Sequence, residues 1–188
     1  DEKFRAKVYK ITRDRQGVRL THIKILSGSA GVREILTEDE KISRIRSYNG
    51  EKYETCNEAV AGRVYAIEGP ERTYAGEVIG EGMKETTFCL EPVLSYRVTF
   101  PEGTSPLAAI RDFRLLEDEM PELNLVWDED HKEIHIKVMG QIQIDILKNI
   151  VEERFSYPIA FDSGSIAYKE TIADTVIGVG HFEPLRHY

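Results

Sequence analysis

Cysteine is scarce. Cys56 and Cys89 are the two thiols in 188 residues, too few for a disulfide framework or a four-thiolate zinc site, and their spacing fits no metal or redox motif. Both sit among small or apolar neighbours, which reads as inert buried thiols in a reducing, cytoplasmic compartment. Long apolar runs are missing as well. None approaches the roughly 20 residues needed to cross a bilayer. The start, Asp1-Glu2-Lys3-Phe4-Arg5, has no apolar stretch behind it, so no secretory leader is expected. It also lacks an initiator Met, so the expectation is a piece of a longer protein. No Gly-x-x-x-x-Gly-Lys-Ser/Thr run occurs, which removes a phosphate-cradling loop from the sequence in hand.

What is present is a globular composition, 41% hydrophobic and 31% charged, with apolar residues along the whole length. The charge is uneven. The net charge is -8, yet residues 1–46 hold 12 Lys/Arg against 7 Asp/Glu, and the remaining residues hold 13 against 26. The first part can face phosphates and the rest repels them. The plain alternative is that Lys7, Arg13, Arg19 and Lys24 form the wet face of a sheet.

Two units follow from the patterning. Phe4–Thr12 and Val18–Leu26 are β-branched and aromatic runs around the turn Asp14-Arg15-Gln16-Gly17. Further strands are expected at Lys41–Arg46, Arg63–Ile67, Gly76–Ile79 and Thr86–Leu90, with an Asn49-Gly50 turn and helical turns at 32–40 and 54–60. Short strands with frequent turn signals predict a small all-β barrel. Past Glu91-Pro92 the pattern changes. Leu94–Phe100 reads as a strand. A helix then carries Leu107, Ile110, Phe113 and Leu116 on one stripe, with Pro106 in its first turn. Leu123–Trp127 and Glu133–Val138 read as strands. Gly140 opens a second helix, with Ile142, Ile146 and Ile150 on its inner stripe and Leu147, Val151 and Phe155 beside them. Ile159–Phe161 begins the last strand. The order βαββαβ predicts an α+β, ferredoxin-like domain, with two helices on one face of an antiparallel sheet. The expected division is residues 1–85 barrel, 86–93 linker, 94–172 ferredoxin-like domain, and 173–188 the start of a further domain.

Candidate chemistry is thin. His131 and His135 are four apart but fall in a turn and on a strand, so they do not converge as metal ligands. Glu117-Asp118-Glu119 ends a helix where acids are unfavourable, which reads as a solvated helix end. Ser163-Gly164-Ser165 lacks the strand-to-helix turn of a nucleophile elbow. Gly178-Val179-Gly180 and Gly80-Glu81-Gly82 are too short to count as phosphate loops. No catalytic, cofactor or metal residues are assigned. The basic hairpin supplies the candidate site instead: Lys10, Arg13, Arg15, Arg19 and Lys24 share one surface suited to RNA phosphates.

Residues Phe4-x-Ala6-x-Val8-x-Lys10-Ile11 and Gly17-Val18-Arg19-Leu20-Thr21-x-Ile23-Lys24-Ile25-Leu26-Ser27-Gly28 resemble domain II of translation GTPases related to elongation factor G. Glu119-Met120-Pro121-Glu122-Leu123, Gly140-Gln141-Ile142-Gln143-Ile144-Asp145-Ile146-Leu147 and Tyr168-Lys169-Glu170-Thr171-Ile172 resemble domain III of the same proteins. The stretch Gln-Ile-Gln-Ile-Asp after Gly140 looks most like the tetracycline-resistance ribosomal protection proteins. Gly180-His181-Phe182-Glu183-Pro184-Leu185 resembles the first strand of domain IV. The resemblance implies a fragment of a ribosome-dependent GTPase of the tetracycline-resistance ribosomal protection type, one that contributes ribosome contacts and interdomain coupling, not hydrolysis. GTP and Mg would belong to the full-length parent. The implied partners are small-subunit ribosomal RNA and protein and the parent's own GTPase domain, with no membrane and a monomeric state. It implies structural roles for Gly140 at the strand-to-helix turn and for Ile142 and Ile146 in the core. The alternatives are a housekeeping translocase and a free-standing RNA-binding or regulatory module.

Overall fold

The computed structural model describes residues 3–80, 94–162, 165–166, 175 and 177. The first strands, β1 (Arg5–Arg13) and β2 (Arg19–Ser27), pair antiparallel as a hairpin. Asp14 shapes its turn: the carboxylate accepts the N–H groups of Gln16 and Val18 at 2.9 and 3.0 Å, and Gly17 takes a positive φ of 80°. Then follow β3 (Ser29–Gly31), β4 (Ile35–Thr37), β5 (Glu40–Lys41), β6 (Arg44–Asn49), β7 (Lys52–Cys56), β8 (Glu58–Val60), β9 (Val64–Glu68) and β10 (Val78–Ile79). Six of them form one sheet in the order β10-β1-β2-β9-β6-β7, while β3-β8 and β4-β5 form two small ribbons.

Alternation puts Ala6, Val8, Ile23, Ile25, Ile45 and Ile67 on the inner side of that sheet. Ala30, Leu36 and Ala59 of the ribbons belong to the same core, so the ribbons close over the curved sheet as a barrel-type domain. Cys56 is a free thiol packed at the rim of this core. Cys89 lies outside the described residues. The helical turns expected at 32–40 and 54–60 are not helices. Those stretches supply β4, β7 and β8, because their side chains are needed on the barrel core and in strand pairing.

The second unit runs β11 (Leu94–Thr99), α1 (Pro106–Glu119), a 3-10 turn (Pro121–Leu123), β12 (Val126–Asp128), β13 (Glu133–Val138), α2 (Gln141–Phe155), β14 (Ala160–Phe161) and β15 (Ser165–Ile166). The sheet order is β12-β13-β11-β14, and β15 also pairs with β11. Every pairing is antiparallel. This is the ferredoxin-like arrangement, so the all-β barrel followed by an α+β domain is the observed fold class. Its separate core gathers Phe113, Leu116, Ile134, Ile136, Leu147 and Val151.

Several local expectations need correction. Leu123 ends the 3-10 turn, and the strand starts only at Val126, because Pro121 and the left-handed Asn124 hold the chain in a turn. On α1, Leu107 is exposed and Ala109 takes the inner position. On α2, Ile142 is 79% exposed and Ile146 is half exposed, while Ile144, Leu147 and Val151 face the sheet. Isoleucines occur on opposite sides of this helix, so periodicity alone could not choose the inner stripe. Gly140 sits at φ 171°, extended backbone open to any residue, and a Cβ there would meet nothing within 4 Å. It is not required by the turn. The linker 86–93, the strand Thr86–Leu90, the Tyr168–Ile172 motif and residues 178–188 lie outside the described residues.

Candidate functional site: an interdomain clamp and a basic hairpin

The β1–β2 hairpin reaches α1 of the second unit. Arg19 donates from Nε and Nη2 to both oxygens of Asp118 at 2.9 and 2.8 Å. Its remaining N–H groups go to Thr21 Oγ1, Pro70 O, Thr73 Oγ1 and Thr73 O. A planar guanidinium with every donor used is held in one orientation. Arg13 adds Nη2 to Asp118 Oδ2 at 2.8 Å and Nη1 to Glu119 Oε1 and Leu115 O at 3.3 Å. Glu119 in turn accepts two hydrogen bonds from Arg154 of α2, at 2.9 and 3.1 Å. Three cations and two carboxylates therefore run in a chain from the barrel hairpin to both helices.

Burial alone would raise the Asp118 carboxyl. The hydrogen bonds and charge of Arg19, then of Arg13, outweigh it and hold the group below the usual carboxylate range. The acidic end of α1 is thus no solvated helix end. Glu117 is used as well, accepting the Leu125 N–H at 2.7 Å and pairing with Arg114. An opening of about 640 Å³ beside the clamp is lined by Arg13, Arg19, Glu68, Pro70, Arg114 and Asp118.

A second charged cluster locks the barrel. Arg46, 3% exposed, donates to Glu68 and to Asp14 Oδ2 at 2.9 Å, and its guanidinium lies 4.4 Å from the Tyr53 ring centre. Desolvation acts to lower the Arg46 pKa. Its hydrogen bonds to Tyr48, Glu68 and Asp14 overcome that and raise the pKa. The hairpin turn is tied to β6 and β9 through this one side chain.

The five basic residues of the hairpin separate accordingly. Arg13 and Arg19 turn into the clamp, with side chains 14% and 11% exposed, and so do not lie on one exposed phosphate-facing surface with the other three. Arg15 sits exposed at the tip, Lys10 is exposed on β1, and Lys24 donates to Gly62 O at 2.7 Å. His131 pairs with Asp128 and His135 with Glu133, and the described residues hold no group of three or more potential metal ligands. Among the described residues no helix is long and apolar enough to cross a membrane. Sequence reasoning missed Asp118, Glu119 and Arg154. Their signal was an acidic run at a helix end, where such residues need a cation from elsewhere.

A barrel joined to a ferredoxin-like domain defines the class by its fold: a two-unit segment with one hydrophobic core in each unit. No family model matches the chain. Curated relatives carry the name elongation factor G. Elongation factor G 2 of Syntrophus aciditrophicus (strain SB) is 27% identical, covering 97% of this chain and 28% of the relative. Elongation factor G of Alteromonas mediterranea is 28% identical over 92% of this chain and 26% of the relative. Elongation factor G of Salinibacter ruber is 27% identical over 94% and 26%. The chain is similar to a segment of elongation factor G and spans about a quarter of these relatives' length. A crystal structure of a protein from Thermus thermophilus superposes with a TM-score of 0.69 at 20% identity, over 86% of this chain and 26% of that one, a likeness of fold.

Proposed function

We propose that the chain is the central segment of an elongation factor G-like translation GTPase. In this reading it binds the ribosome through the barrel and couples the parent's nucleotide-binding domain to the parts that follow. Residues 1–85 act as the barrel domain, 86–93 as linker, 94–172 as the ferredoxin-like domain, and 173–188 as the start of another. The segment works as a cytoplasmic monomer within its parent and contributes no GTP hydrolysis. The observation that carries the reading is the similarity to elongation factor G across both units in one continuous stretch. Lys10, Arg15 and Lys24 supply phosphate contacts. Arg13 and Arg19 act through the clamp, which sets the angle at which the two units meet the ribosome.

Cosedimentation of the chain with purified small ribosomal subunits, alongside calorimetric titration with GTP and magnesium, tests this. Salt-dependent binding to the subunit and no specific heat with GTP are expected. A micromolar nucleotide site, or no subunit binding at low salt, overturns it.

A second reading, a tetracycline-resistance ribosomal protection protein, is favoured by Gln141-Ile142-Gln143-Ile144-Asp145. The names of the relatives suit a housekeeping translocase at least as well. Expressing the full parent gene in a tetracycline-sensitive bacterium separates the two. Raised tetracycline tolerance supports protection, and replacement of an essential elongation factor G supports translocation.

A further inference from the structure

The outer face of the six-stranded sheet differs from the rest of this acidic chain. Strand register places Lys10, His22, Ala66, Arg46 and Thr55 side by side across β1, β2, β9, β6 and β7. Further along, Lys7 faces Lys24 across β1 and β2. Rings run over the same surface. Tyr9 lies 5.9 Å from His22, His22 lies 6.3 Å from Tyr48, and Tyr48 lies 5.4 Å from Tyr53. Tyr9, Tyr48 and Tyr53 are each at least 40% exposed. The row ends in a groove of about 570 Å³ beside the hairpin tip, lined by Arg15, Arg46, Tyr48 and Tyr53 among others.

Half-exposed aromatic rings in contact over a sheet cost more than an ordinary wet face would. The barrel core lies on the other side of the sheet, and on this face Tyr48 and Tyr53 also contact Arg46. Cations interleaved with rings match a backbone of phosphates carrying flat bases. A protein partner would match the tyrosines and Arg15 but not the lysines, which are depleted in protein–protein contacts. Burial, then the charge of Lys10, lowers the His22 pKa and keeps its ring neutral at pH 7. A neutral ring stacks without competing for the phosphates.

We propose that Tyr9, His22, Tyr48 and Tyr53 form a stacking surface for unpaired bases of single-stranded RNA, with Lys10, Lys24 and Arg15 tracking its phosphates. This rests on the reading of the barrel as an RNA-contacting domain and adds what it reads: exposed bases, not duplex backbone alone. Affinity then divides into a salt-dependent part from the cations and a salt-independent part from the rings.

The test uses the 188-residue chain, a fluorescein-labelled ten-nucleotide oligouridine, and a blunt RNA duplex of the same length. Anisotropy should show tighter binding to the single strand. Tyr48→Ala with Tyr53→Ala should weaken single-strand binding at least about fivefold, leave the salt slope unchanged, and leave duplex binding unchanged. Tyr48→Phe with Tyr53→Phe should restore affinity, and the unchanged duplex binding of the Ala pair separates loss of stacking from loss of fold. Lys10→Gln with Lys24→Gln should make the salt slope shallower by about 1.4, roughly 0.7 for each phosphate that is no longer neutralised. Equal single-strand affinity for the Ala and Phe pairs overturns the proposal, as does failure of the chain to bind oligouridine at low salt. If the Ala pair still binds small ribosomal subunits at full affinity while its oligouridine binding is also unchanged, stacking fails and the ribosome reading stands. If oligouridine binding obeys these rules but the chain ignores the subunit, stacking stands and the ribosome reading fails.

Discussion

Arg19 and Asp118 are 99 positions apart and meet as a two-pronged ion pair, Nε and Nη2 on the two carboxylate oxygens at 2.9 and 2.8 Å. One residue belongs to the barrel hairpin and the other to the end of α1. The pair joins two hydrophobic cores that share no buried residue. The hydrogen bonds that Leu115, Asp118 and Glu119 accept from the barrel all come from charged arginines of the hairpin, a contact that responds to pH and salt as apolar packing does not.

Asp118→Asn should uncouple the units without unfolding either. The aspartate pKa is lowered in the folded protein, so its contribution is full above the ordinary carboxylate value of about 4 and is lost as pH falls through the lower folded value. The variant should lose about 1–3 kcal/mol of stability at pH 7, and the gap from the unsubstituted chain should close in strongly acid solution. Chemical denaturation across pH 2–7, with small-angle scattering to report the angle, checks it. A variant as stable as the unsubstituted chain at pH 7 with the same scattering curve removes the clamp's role.

Arg46 and Glu68 make a second prediction. Both are buried in the barrel, with Asp14 and Tyr48 completing the guanidinium's partners. Glu68→Leu leaves a buried cation short of one carboxylate and should cost about 3–5 kcal/mol. Arg46→Met added to Glu68→Leu should recover much of that, because an uncharged pair needs no compensation. Urea unfolding of the three proteins measures the coupling. Additive losses would show that the pair does not act as a unit.

How much of this was legible beforehand depends on the kind of signal. The ferredoxin-like order was visible because strand alternation at Ile134, Ile136 and Val138 and the proline and glycine punctuation are local. The barrel hairpin was visible for the same reason. The inner stripe of α2 was not. Ile142, Ile144 and Ile146 crowd one stretch of helix, and only the sheet beneath decides which of them is covered. The clamp was hidden more deeply. Nothing within the neighbourhood of Asp118 names Arg19 as its partner, and a pairing across 99 residues is a property of the fold. The tyrosine row was hidden too, since Tyr9, Tyr48 and Tyr53 come together only when β6 and β7 join the sheet.

The α2 stripe gives a direct comparison. Ile144→Ala opens a cavity against the sheet and should cost about 2–5 kcal/mol. Ile142→Ala, on the exposed side of the same helix, should change stability by no more than about 0.5 kcal/mol. Thermal and urea unfolding of both variants decides it. The reverse ranking would mean that the helix presents its other side to the sheet.

The last prediction concerns two glycines at element ends, Gly69 just after β9 and Gly140 just before α2. Gly69 has φ 121°, and a Cβ built there would come within 2.2 Å of Lys41 O and 2.9 Å of Ser43 N, both backbone atoms. Ser43 N–H donates to Glu68 O at 2.8 Å across this close approach, so the two backbones cannot part without losing that bond. Gly69→Ala therefore combines a strained left-handed backbone with a clash that no side chain can relieve. It should lower stability by several kcal/mol, about 1–3 from the backbone alone, and disturb Glu68 and its hold on Arg46. Gly140 has extended backbone and open space around the missing Cβ. Gly140→Ala should be neutral or should stabilise by about 0.4–1 kcal/mol, by restricting the unfolded chain. Denaturation midpoints for the two variants, measured side by side, should move in opposite directions or differ by several kcal/mol. A strongly destabilised Gly140→Ala would return that glycine to the structural role its sequence position suggested.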